Sequence, residues 1–263
     1  MRISTSALTL TLALSTGACS NTAPSPAPVP AAEGAAPAPV ADEAEPKAAP
    51  APTDGVAKPA EPATPRTKDF AFPTTDALGK LPENIGLAVG TTVNVGDIQN
   101  SYGQKVMLGD MLSGQKSLIV FYRGGWCPYC NTQLRSLTQA HAWFKDRGIN
   151  VVAISVDTPE EAATSKASWQ IPFTLLSDPT LVAHKAFNVA FTIPEDEVER
   201  LKGFKIDVEA SSGQTHHTVA VPSIFLIDAA GVIRWAHAEL DYKTRPSVAQ
   251  IQAVADQMFP ATP

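Results

Sequence analysis

Before Phe70 the chain has no aromatic residue at all, and its 263 residues include only three cysteines. Three cysteines are too few for a disulfide-dense miniprotein or for a zinc site built from four thiolates. No run or stripe of lysine and arginine occurs, and the net charge is −6, which argues against a nucleic-acid partner. No apolar stretch is long enough to span a bilayer: the run at 3–15, after Met1 and Arg2, is too short. What is abundant early on is proline and alanine, with 12 of the 23 prolines between Ser20 and Pro65. Such a segment cannot bury enough apolar surface to offset its ordering entropy. A single folded domain is therefore expected over residues 68–263, preceded by a disordered Ala/Pro-rich linker over 20–67.

The short apolar run at 3–15 reads as the core of a secretory signal. Small residues then lead to Cys19, in the order Ser15-Thr16-Gly17-Ala18-Cys19. This resembles the lipobox of bacterial lipoproteins, with Thr16 where that motif prefers leucine. The resemblance implies a signal peptide over 1–19, lipidation at Cys19 and a lipid anchor. Ser20 follows in place of an inner-membrane-retaining aspartate, which implies the periplasmic face of the outer membrane. The Ala-Pro linker favours extended polyproline II, at about 3.1 Å per residue, and would set how far the domain stands from its anchor.

Within the folded part, strands are expected at 91–95 and 105–108, around a polar turn at 100–103. The run 117–122 suits a strand buried on both faces, and a helix is expected from Pro128 to about Arg147. A second buried strand at 150–156 and a Thr-Pro-Glu-Glu helix start at Thr158 follow. A third strand at 173–176, a helix at 179–187, a hairpin of 223–228 with 232–237 and a final helix at 246–258 complete the pattern. Residues 188–220 show no strong period and read as an insertion or long connection. Strands alternating with helices argue for an α/β three-layer sandwich with a central mixed β-sheet.

The chemistry is concentrated in Gly124-Gly125-Trp126-Cys127-Pro128-Tyr129-Cys130, between a buried strand and a helix start. Cys127 is expected at the helix N-cap, exposed, where free N–H groups favour a thiolate. Pro128 suits the first helical position. Cys130, within disulfide reach, would stay protonated and resolve, making a reversible dithiol–disulfide couple. Arg123 adds positive potential, and Trp126 walls the sulfur on one side. Two other readings stay open: a zinc site completed by His216 and His217, or a permanent structural disulfide in a binding module. His141, His184 and His237 read as surface or satisfied histidines, and Asp157 and Asp178 as caps or turn formers.

The run Phe121-Tyr122-Arg123-Gly124-Gly125-Trp126-Cys127-Pro128-Tyr129-Cys130-Asn131 resembles the active site of a peroxiredoxin-like branch of the alkyl hydroperoxide reductase C/thiol-specific antioxidant family. Residues 221–228 are similar to the thioredoxin-fold segment that holds a cis-proline, which would be Pro222. Residues 242–247, with Arg245, resemble the approach to the last helix. The resemblance implies a thioredoxin-like fold, Cys127 as the attacking thiol, no cofactor and a thioredoxin-type protein partner. Family members resemble Pro-x-x-x-Thr-x-x-Cys; counted back from Cys127, Val120 and Gly124 stand in the two marked places. The family's activating arginine is replaced by Pro222, leaving Arg123 or Arg245 to substitute. These departures favour an exported antioxidant oxidoreductase working by thiol–disulfide exchange, with reduction of hydrogen peroxide or alkyl hydroperoxides as the alternative.

Overall fold

The computed structural model describes residues 73–260. The signal peptide, Cys19, the linker and the first residues of the expected domain lie outside the described residues.

Five short elements open the fold: β1 (Asp97–Asn100), β2 (Lys105–Met107), α1 (Leu108–Leu112), β3 (Lys116–Phe121) and α2 (Pro128–Gln139). They are followed by α3 (His141–Asp146), β4 (Ile149–Ser155), α4 (Pro159–Ser168), β5 (Thr174–Ser177) and α5 (Val182–Ala186). Next come β6 (Ala190–Thr192), α6 (Glu195–Gly203), α7 (Val208–Ser212) and β7 (Thr218–Ala220). The chain closes with β8 (Ser223–Ile227), β9 (Ile233–Ala238) and α8 (Val248–Met258).

Seven strands form one sheet in the order β2-β1-β5-β4-β3-β8-β9. The three central strands β5, β4 and β3 are parallel, and the flanking pairs are antiparallel. The side-chain period of two then divides the sheet's residues between two cores. Leu118 and Val120 of β3 and Val151 and Ala153 of β4 face α2, α3 and α8, with Leu134, Leu137, Phe144 and Ile251. Ile119, Phe121, Val152 and Ile154 face the other way, onto Leu108 and Leu112 of α1 and Ala183 of α5. Each fully buried leucine of α2 contributes about 1.5–3 kcal/mol by leaving water. The expected three-layer sandwich with a mixed sheet is present.

Several elements differ from the sequence expectation. Residues 91–95 are not the partner strand of β2. Val93 N–H donates to the Gly231 carbonyl (2.9 Å) and Ile233 N–H to that of Thr91 (3.0 Å), so this stretch is tied to the β8–β9 turn. The helix from Pro128 breaks at Ala140. Thr132, Ser136 and Thr138 each return their hydroxyl to the carbonyl four residues back, at 2.9–3.0 Å, a pattern that bends helices. The helix expected at 179–187 shrinks to five residues because Leu181 takes φ +65° and Asp178 caps Val182 N–H and His184 N–H.

The aperiodic stretch 188–220 is structured. β6 and β7 pair as a separate two-stranded sheet, and α6 and α7 lie between them in sequence. Ile193, Val198, Leu201, Val208 and Val219 form a third apolar cluster with Val156 and Leu181, and Trp126 packs against it. Apart from α6 its elements are three to five residues long, too short to show a period.

Candidate active site

The cysteine loop lies at the carboxyl ends of the parallel strands, between the end of β3 and the start of α2. Here ligands and reactants gather in open α/β sheets. Cys127 is the N-cap of α2, with φ −87° and ψ 114°, and Pro128 occupies the first turn, as expected. Gly124 has φ +153°, a region open to glycine alone. A Cβ there would collide with the Trp126 indole nitrogen and sit 2.7 Å from Asp157 Oδ1. A Cβ on Gly125 would overlap Ser165 Oγ. The two glycines thus let the loop lie flat on α4 and the end of β4. Asn131 pins it by donating to the Gly125 carbonyl at 2.7 Å, and Asp157 Oδ2 accepts Gly125 N–H at 2.8 Å.

Both thiols are free and both are buried, with Cys127 1% and Cys130 0% exposed. This corrects the expectation of an exposed Cys127. The two thiols share one hydrogen bond, which favours the thiol form of one and the thiolate form of the other. The hydrogen bond that Cys127 donates to Cys130, then burial, push the Cys127 thiol well above its ordinary value. Burial would push Cys130 up as well. It is outweighed by the hydrogen bond from Cys127, the charge of Arg245, and the backbone N–H and charge of Arg123, which bring Cys130 down to about 6.

After the Cys127 hydrogen bond, Arg245 is the next contributor. It is 2% exposed, and its guanidinium donates to Gln133 Oε1 (3.1 Å), to the Thr244 carbonyl (3.0 Å) and to Cys130 Sγ (3.5 Å). Among the described residues no carboxylate pairs with it, so a thiolate on Cys130 would offset the cost of burying the charge. Its backbone is held on both sides, with Arg245 N–H donating to the Pro73 carbonyl (3.0 Å) and Thr75 N–H to that of Arg245 (3.3 Å). Arg245 stands 115 residues from Cys130 in the chain and reaches it only through the tertiary fold.

Arg123 is also buried, its charge acts on both thiols, and its side chain packs between two aromatic rings. Its guanidinium carbon lies 4.1 Å from the Tyr242 ring centroid and 5.1 Å from that of Trp126. Trp126 forms the wall between the main core and the third cluster. Pro222 joins β7 to β8 and lines the same cavity as Arg123. The cis bond expected for Pro222 is absent: every peptide bond among the described residues is trans. Trans is the default for X-Pro by about 0.5–1 kcal/mol, and Glu239 N–H holds the Pro222 carbonyl at 3.1 Å in that arrangement.

Three contributors are not evident from sequence. Gln133 lies one turn along α2 from Cys130 and positions Arg245. Tyr122 ends the buried run of β3 with its hydroxyl enclosed. Asp157 is expected to be a cap or turn former, but the N-cap of α4 is Thr158, which accepts Glu161 N–H at 3.2 Å. Asp157 instead lies under the cysteine loop, accepting Ser155 Oγ–H at 2.8 Å, with Oδ1 buried and unpartnered. Burial pushes its carboxyl up to about 7, against the hydrogen bonds from Gly125 and Ser155. His216 and His217 are engaged elsewhere, by the Pro179 carbonyl (2.9 Å) and by Glu209 (2.5 Å).

Counted back from Cys130 instead of Cys127, the family-like spacing puts Cys127 in the threonine place and Arg123 in the proline place, so neither count reproduces the marked residues.

Curated relatives are similar over part of the chain. A protein named as a bcp peroxiredoxin in Haemophilus influenzae is 33% identical over 103 residues, 39% of this chain and 66% of the relative. The peroxiredoxin Bcp of Escherichia coli is 36% identical over 76 residues, 29% of this chain and 48% of the relative. The chain thus spans less than two thirds of the length of these relatives. Solved structures share the fold. The reduced Prx3 of Vibrio vulnificus, in complex with hydrogen peroxide, superposes with a TM-score of 0.53 at 14% identity, covering 64% of this chain and 98% of that one. A PrxQ variant of Xylella fastidiosa gives 0.51 at 18% identity, covering 65% and 95%. Residues 89–236, more than half of the sequence, match the AhpC/TSA family, and the chain belongs to that family.

Proposed function

We propose that the protein is a thiol-dependent peroxidase in which Cys130 attacks and Cys127 resolves. The observation that carries this reading is the Arg245 guanidinium against Cys130 Sγ, in the first turn of α2. A thiolate held there by a buried cation, a helix N-terminus and the Cys127 S–H is the nucleophile the reaction needs. The Cys130 thiolate attacks the distal oxygen of a hydroperoxide, the S–O bond forming as the O–O bond breaks, and the displaced alkoxide or hydroxide takes a proton from solvent. The products are Cys130 sulfenic acid and an alcohol or water. The Cys127 thiol then condenses with the sulfenic acid, giving the Cys127–Cys130 disulfide and releasing water. An external dithiol protein returns the pair to the reduced state.

Exchange led by an exposed Cys127 fits less well. Family membership favours peroxide as oxidant, and a buried pair needs less opening for a small peroxide than for an extended protein substrate. Arg245 takes the place of the missing family arginine in this scheme. Export and lipidation at Cys19 remain part of the proposal on the strength of the sequence; a Cys19→Ala chain should lose its partitioning into detergent.

Intact mass after one equivalent of hydrogen peroxide tests the order of events. Cys127→Ser should gain one oxygen, located at Cys130 by peptide mapping, and Cys130→Ser should gain none. The reverse pattern would return the attacking role to Cys127.

A further inference from the structure

Arg123, whose backbone N–H reaches the Cys130 sulfur, lines a cavity of about 320 Å³, large enough for a small molecule and too small for a folded segment. Its walls are largely apolar: Phe191, Ile193, Val221, Pro222, Leu240 and the ring of Tyr242. Two of these come from the structured insertion at 188–220, which has no role in the thiol chemistry itself. Arg123 supplies the buried cation.

Arg123 is 5% exposed and its guanidinium stacks on Tyr242 and Trp126, so its faces are covered and its N–H edge is what remains for hydrogen bonding. Among the described residues, no carboxylate or carbonyl accepts from it. Burying a cation without an acceptor is costly, and a planar fork of donors matches a carboxylate two-for-two. The acids at the cavity do not fill this place. Glu197 feels the charge of Arg123 but is hydrogen-bonded by Arg200, whose Nε and Nη2 lie 2.7 and 2.6 Å from its oxygens, and Asp196 is exposed at the rim.

We propose that Arg123 makes this cavity a binding site for a carboxylate carried on a short apolar chain. The apolar walls call for a hydrocarbon tail. The rim acids disfavour a doubly charged phosphate more than a singly charged carboxylate. Arg123 also presents its backbone N–H to the Cys130 sulfur, so a head group on its side chain is anchored one residue from the reacting thiol. A hydroperoxide bearing a carboxylate would be oriented by this contact. That step rests on the peroxidase reading, whereas the binding does not.

Calorimetric titration of the full-length reduced protein at pH 7 tests the site, with octanoate, octanamide and inorganic phosphate as probes. Octanoate should bind at least about tenfold more tightly than octanamide, and the preference should vanish in Arg123→Met. Leu240→Glu, at a rim position 63% exposed where folding is not at stake, should weaken octanoate by about tenfold through repulsion. No octanoate binding, equal affinity for octanamide, tighter binding of phosphate, or indifference to both substitutions would overturn the proposal. Hydrogen peroxide consumption by the same wild-type protein keeps the two readings apart. Octanoate binding without turnover upholds the site and removes the peroxidase, and turnover without octanoate binding does the opposite.

Discussion

Replacing Arg245 by methionine keeps most of the side-chain volume while removing the charge that faces Cys130. An opposite charge within about 4–6 Å lowers the pKa of an acid by about 1–3, so the substitution should raise Cys130 from about 6 to about 8. At pH 7 the thiolate fraction would then fall from roughly 90% to roughly 10%. The rate of peroxide reduction should drop about tenfold if it follows the thiolate. The deficit should close as the pH rises, because above about pH 9 both proteins carry the thiolate. Stopped-flow oxidation by hydrogen peroxide between about pH 5 and 9, alongside carboxymethylation of Cys130 over the same range, reads both effects. The variant also leaves Gln133 Oε1 without its donor, at a cost of about 1–3 kcal/mol, so a thermal melt should accompany the kinetics. Arg245→Lys should recover part of the low-pH reactivity without restoring the Gln133 bond. An unchanged pH profile in Arg245→Met would refute the argument, and so would a deficit that is the same at every pH.

The hydrogen bond from Cys127 is separable from its role as resolving thiol. Cys127→Ser keeps a donor and should hold Cys130 reactive at about pH 6, whereas Cys127→Ala should shift its alkylation profile upward; equal profiles would contradict the hydrogen-bond account. Asp157 should make stability depend on pH. Its carboxyl titrates near 7 when folded and near 3.9 when unfolded, so its penalty is absent below about pH 4, grows toward pH 7 and is constant above. Denaturant titrations should show Asp157→Asn gaining on the wild type across that window by a few kcal/mol, and a pH-independent difference would disprove it. Gly124→Ala should cost about 1–3 kcal/mol, seen as a lowered melting temperature with the cysteine loop displaced, because its φ of +153° and the Trp126 and Asp157 contacts leave no room for a methyl group.

The layered α/β fold is legible in the sequence because its signals are local. The continuous apolar runs of β3 and β4 require burial on both faces, and Pro128 and Thr158 mark helix starts by the φ they impose or the hydroxyl they offer. The cysteine pair is legible for the same reason, as a motif between a buried strand and a helix. The insertion at 188–220 is not, since its three-residue strands and five-residue helix carry no measurable period, its longer helix α6 buries only Val198 and Leu201, and a shared apolar cluster holds them together. The roles of the two thiols cannot be assigned from the helix N-terminus, which favours a thiolate at Cys127 and Cys130 alike. Arg245, 112 residues from Gln133, and Asp157, 32 residues from Gly125, meet the loop only through chain folding. A charge acts through distance and burial rather than order in the chain. The sequence therefore determined that two thiols stand at the head of a helix, and the tertiary structure decided which charged and polar groups, Arg245 and Asp157 among them, surround that pair.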